Sequence, residues 1–171
     1  YMKKITIEGN SNIKKVIPEQ YDSTRKDIKK NEIDDKLLEH NKQIEIINKL
    51  YLNDVSNNEK MVTKFITSKL NSYKQQDIKN NIYGEKFFIK EDKVIEMLVK
   101  CKLRCFYCSN EIFLIYKEIK NKYQWTLDRI NNDMGHNNDN VVISCLDCNL
   151  KRINQNINKF LFTKKLNIIK N

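Results

Sequence analysis

One proline (Pro18) and three glycines are all that interrupt 171 residues. With the two strongest helix breakers nearly missing, long helices are permitted almost everywhere. Long apolar runs are missing too. None is long enough to span a bilayer, so no membrane partner is expected. The opening YMKKITIEGN has no hydrophobic signal core. A reducing, intracellular compartment follows, cytoplasm or nucleus, where paired cysteines mean metal more often than disulfide. Acidic residues are the minority charge. Lys and Arg number 32 against 22 Asp and Glu, a formal net charge of +10. Such an excess favours an anionic partner, most commonly nucleic acid. A solvated lysine-rich surface is the bland alternative.

What is present divides into two halves. Residues 1–86 read as a basic, mostly helical region. A short strand is expected at 2–8. A helix is expected over 23–52, with Ile33, Leu37, Ile44, Ile47 and Tyr51 on one face. A second helix is expected over 58–78, striped by Val62, Phe65, Ile66, Leu70 and Tyr73. These helices suit packing on each other or on a protein partner better than chemistry, and His40 among them reads as a surface or core residue.

The pattern changes at residues 87–171. A helix carries Val94, Ile95, Leu98, Val99 and Cys101. Strand-like composition follows at 111–116, 123–130 and 141–144, with a polar loop over 131–140. A last helix begins at Leu146. Its expected buried stripe is Leu150, Ile153, Ile157 and Leu161, and its polar face is Asn149, Arg152, Asn156 and Lys159.

Two Cys-x-x-Cys knuckles lie in this half: Cys105 with Cys108, and Cys145 with Cys148. Two-residue spacing lets both sulfurs of a knuckle face one centre. Two knuckles make a closed four-thiolate set, which suits structural Zn²⁺. Cys101 is left over and reads as a buried thiol or a substitute ligand.

Between the knuckles runs WTLDRINNDMGHNNDNVVISCLDCN. With CFYC before it, this stretch resembles the HNH endonuclease family, the ββα-metal fold. It is most similar to zinc-stapled, treble-clef members of phages and large DNA viruses. The resemblance covers roughly residues 88–160. It implies an α+β fold in which a helical N-terminal region precedes a small zinc-bound module of two antiparallel strands and a helix. By position it implies that Asp128 and Asn149 hold a catalytic Mg²⁺ or Mn²⁺, and that Asn140 holds the loop. The implied activity is metal-dependent hydrolysis of DNA phosphodiester bonds, with double-stranded DNA as the expected partner. Lys151 and Arg152, at the start of the last helix, are the expected phosphate contacts.

The departure is Arg129, which stands where the family places the histidine that takes a proton from water. Arginine stays protonated near neutral pH and cannot serve as that base. It is suited to clamping a phosphate or a charged transition state. His136 in the loop is the remaining candidate base. Two readings therefore stand: an active HNH endonuclease, or a catalytically inactive HNH-fold protein kept for nucleic-acid binding or assembly. A zinc-ribbon transcription component is a third.

Overall fold

The computed structural model describes residues 33–54, 56–118 and 120–165. The strand expected at 2–8 and the start of the helix expected over 23–52 lie outside these residues. In chain order a 3₁₀ turn at Asp35–Leu38 precedes α1 (His40–Tyr51), α2 (Asn57–Lys79) and α3 (Glu91–Lys100). A hairpin follows, β1 (Trp125–Arg129) with β2 (Val141–Cys145), then α4 (Leu146–Arg152) and α5 (Ile157–Lys165). The architecture is α+β, helices with one small two-stranded sheet.

The helix expected through residue 52 is interrupted at Glu39, whose backbone is extended (φ −66°, ψ 130°). Asp34 causes the early turn: its side chain accepts from Lys36 N at 3.0 Å, as short polar side chains do at helix starts. α1 then buries Gln43, Ile46, Ile47 and Leu50, while Tyr51, expected in the stripe, is half exposed. α2 starts at a Ser56–Glu59 capping box, which satisfies donors the first turn leaves free. It buries Val62, Ile66 and Leu70. α3 carries Glu91 and Asp92 in its first turn and Lys100 in its last, each sign matching the helix dipole.

Val62, Ile66, Val94, Leu98, Leu103, Ile112, Trp125 and Leu127 are all nearly or wholly inaccessible. They belong to one continuous core. The helices before residue 86 and the hairpin after it therefore share their interior. Each aliphatic side chain buried there contributes roughly 1.5–3 kcal/mol.

The hairpin pairs antiparallel, with Trp125 opposite Cys145, Asp128 opposite Val142 and Arg129 opposite Val141. Residues 111–116, expected as a strand, form only single bridges, Arg104 with Glu111 and Phe113 with Gln124. The physical reason is Gln43. Its buried Oε1 accepts from Leu114 N at 2.7 Å and Ile115 N at 3.1 Å, and its Nε2 donates to Ile115 O at 3.0 Å. One side-chain amide thus satisfies backbone groups that would otherwise need a neighbouring strand.

The last helix is likewise not continuous. It stops at Arg152 and resumes at Ile157. Leu150 and Ile153, expected to be buried, are exposed, and Arg152, expected on the polar face, is buried. Arg152 turns inward because its charge has a partner beneath it, described next.

Candidate metal centre and polar groove

The first knuckle follows α3, and the second spans the end of β2 and the first turn of α4. Together they bring the sulfurs of Cys105, Cys108, Cys145 and Cys148 within 4.8 Å of one another. Cys108 and Cys145 Sγ lie 3.9 Å apart, close to the edge of a tetrahedron with Zn–S bonds of about 2.3 Å. Four thiols this close cannot all ionise without a cation between them. A hydrogen bond from Cys145 pulls the Cys105 thiol down to about 5. Burial and the charge on Cys105 push Cys148 up to about 12. The cluster can hold a metal such as zinc, which would relieve this conflict by binding all four as thiolates. Cys101 stands apart, its thiol facing Leu98 O at 3.4 Å.

Asp128 lies on β1 with its carboxylate turned inward. Arg152 grips it with two donors, Nε to Oδ2 at 2.6 Å and Nη2 to Oδ1 at 2.8 Å. Tyr107, inside the first knuckle, donates its hydroxyl to Oδ2 at 2.6 Å. Burial first, and then this bond to a carboxylate, raise the Tyr107 pKa, so the hydroxyl stays protonated. The Arg152 guanidinium also donates to Gln155 O at 2.7 Å, Asn132 Oδ1 at 3.0 Å and Arg129 O. Arg152 is 2% exposed. It is therefore a buried partner of Asp128, not the free phosphate contact expected from its place after the knuckle.

This geometry bears on Mg²⁺ or Mn²⁺. The expected ligands were Asp128 and Asn149. Both Asp128 oxygens already face a guanidinium, and Asn149 Nδ2 is turned onto the hairpin, toward Thr126 Oγ1 at 3.1 Å and Leu127 O at 3.3 Å. With Arg152 and Tyr107 in place the Asp128 carboxylate accepts three hydrogen bonds and its charge is balanced by the guanidinium, so a divalent ion there would compete with Arg152.

Arg129, next on β1, points the other way, as pleating requires. Its Nη1 approaches Met134 O at 3.4 Å and lies 3.9 Å from Asp77 Oδ1. Asp77, near the end of α2, is fully buried and accepts twice from His136: from its backbone N at 2.6 Å and from Nδ1 at 2.7 Å. The His136 ring stacks on Tyr73, centroids 4.5 Å apart. Burial lowers the His136 pKa, with Asp77 opposing, so the ring is mainly neutral near pH 7. Gly135 makes the approach possible, since a Cβ there would lie 2.6 Å from Ile82 O and 2.8 Å from Asp77 Oδ2. Asn140 ties the rest of the loop: Nδ2 donates to Asn131 O and Gly135 O, both at 2.9 Å, and Oδ1 accepts from Asn131 N at 2.9 Å.

Outside the Asp128 pair an open groove of about 760 Å³ runs between the hairpin loop and the α4–α5 turn. Arg129, Asp133, Arg152 and the amides of Asn131, Asn154 and Gln155 are among its lining. Lys151 is exposed, paired with Asp147 at 2.8 Å.

Sequence reasoning missed Asp77 and Tyr107. Asp77 lies far upstream in the polar tract KQQDIK, with no local pattern to mark it. Tyr107 lies inside a knuckle, where an aromatic residue reads as packing. Comparison with protein-family models, curated proteins and solved structures finds no match to this chain. Among the described residues no helix is long and apolar enough to cross a membrane.

Proposed function

We propose that this chain is a zinc-stapled, HNH-type module that binds nucleic acid, double-stranded DNA in the first instance, and does not cut it. One observation carries this reading: Arg152 and Tyr107 close the Asp128 carboxylate, where a catalytic divalent ion would have to bind. Arg129 in the place of the proton acceptor agrees with it. The formal charge of +10 supplies the attraction for a polyanion. Fluorescence anisotropy with labelled duplex tests it. Binding should weaken steeply with salt and, at matched ionic strength, be equal with and without added Mg²⁺. Binding that is absent at low salt would overturn the reading.

A second reading keeps catalysis, and Asp77–His136 favours it. A buried carboxylate holding Nδ1 of a neutral imidazole leaves Nε2 as the basic nitrogen, the arrangement a general base needs. On this reading His136→Ala costs about 10²–10⁴-fold in cleavage. A plasmid incubated with zinc-loaded protein separates the two readings.

A further inference from the structure

Lys69 lies in the middle of α2, on the side that meets the start of the hairpin. The residue is half-buried. Its Nζ donates to Gln124 Oε1 at 3.1 Å and to Trp125 O. The same nitrogen lies 4.8 Å from the centre of the Trp125 ring and 5.5 Å from that of Tyr116. Both oxygens belong to neutral groups. Among the described residues no carboxylate offsets the loss of water around this amine. Lysines are seldom taken out of water without such a partner.

The surroundings match the neutral amine. It has two N–H donors and one lone pair, and the two oxygens take both donors. The lone pair is left over, which makes the nitrogen a nucleophile. An ammonium's third proton would meet only ring faces. These attract a cation and offset part of the cost of burial. Burial still pulls the pKa down to about 7. Tyr116, the titratable side chain facing the amine, is itself kept protonated by burial, and Gln124 and Trp125 do not titrate. Neither the cysteine cluster nor the Asp128 pair uses Lys69.

We propose that Lys69 is a modification site whose amine takes a short acyl group from a thioester. The Nζ lone pair attacks the thioester carbonyl carbon and the N–C bond forms. The C–S bond breaks, and the thiolate leaves with its electron pair and takes up the proton that Nζ gives up. An anionic adduct such as a carbamate does not suit the place, because ring faces repel an anion. A neutral amide suits two flat apolar faces. It keeps one N–H where the amine had two. Acylation therefore gives up the contact to Gln124 or to Trp125 and loosens α2 from the start of β1. The inference is independent of the nucleic-acid reading.

The test treats the zinc-loaded full chain with a trace of the acetyl thioester of a small thiol, from about pH 6 to 10. Hydroxylamine then clears acylated thiols, and peptide mass spectrometry reads the acetyl-lysines. At pH 7 an ordinary lysine is neutral in roughly one molecule in a few thousand. Lys69 should therefore acetylate at least about tenfold faster than the exposed Lys60 and Lys64 of the same helix, although half-buried. Its rate should level off above about pH 8, where an ordinary lysine keeps rising toward pH 10. In urea with a chelator the advantage should vanish. A Lys69 rate at pH 7 no higher than that of Lys60 and Lys64 overturns the proposal, as does a rate that climbs without levelling toward pH 10. An advantage that survives in urea also overturns it, since its cause would then lie in the local sequence and not in the packing.

Discussion

Every guanidinium nitrogen of Arg152 has a partner inside the protein: Nε and Nη2 on Asp128, Nη1 on Gln155 O. Removing one member of a buried pair strands the other charge. Arg152→Ala should therefore cost about 3–5 kcal/mol in a denaturant melt. Arg152→Lys should rescue little, since an ammonium cannot make the two-donor grip. A stability unchanged in Arg152→Ala would return the residue to a purely phosphate-binding role. His136 sets a pH dependence. Its folded pKa lies below the ordinary value because burial disfavours the imidazolium. The unfolded chain then binds more protons, so this contribution is present above about pH 6.5 and is lost as pH falls through the folded value. His136→Gln should flatten that acid limb in thermal melts at stepped pH, and an unchanged limb would reject the assignment. At this scale the sequence was only partly legible. Asp128, Asn140 and Asn149 are singled out by the resemblance to the HNH family. Asp77 is not, because its link to His136 crosses 59 residues and exists only after α2 packs on the loop.

The helices show why pattern reading reached some elements and not others. α2 and α3 were legible because their stripes, caps and burial agree. The final helix was misread because periodicity places Ile153 inward, whereas the Arg152–Asp128 bond decides which face turns in and breaks the helix at the next residue. The strand expected at 111–116 failed for a similar reason, since Gln43 satisfies its backbone from another element. α2 also brings Lys69 against the hairpin. Its Nζ donates to Gln124 Oε1 at 3.1 Å and to Trp125 O, and it lies 4.8 Å from the Trp125 ring. Burial pulls its pKa down to about 7. The ammonium is thus favoured in the unfolded chain, and this residue's contribution to stability should rise as pH climbs from about 7 toward 10.5. Lys69→Met should flatten that rise. A wild-type stability that falls steadily over the same range, unaltered in Lys69→Met, would show the lysine to be charged in place.

At the scale of the whole molecule, the four-cysteine cluster and the shared core act together. The hairpin and α4 meet at the second knuckle, and α3 leads into the first, so metal binding would be coupled to folding. About one Zn²⁺ per chain is expected by elemental analysis of reduced protein. Cys148→Ser or a strong chelator should lower the melting point of α1 and α2 as well, because their apolar faces share the hairpin's core. A folded, reduced sample with no zinc would remove this point. We propose that the chain holds nucleic acid without cutting it, its Asp128 carboxylate closed from within by Arg152 and Tyr107. Supercoiled plasmid incubated with zinc-loaded protein in Mg²⁺, in Mn²⁺ or with no added divalent ion, and run on a gel, tests it most directly. The prediction is a mobility shift that does not depend on an added divalent ion, with the plasmid still supercoiled after the protein is removed. Nicked circles that appear only with Mg²⁺ or Mn²⁺, and vanish in Asp128→Ala, would contradict it.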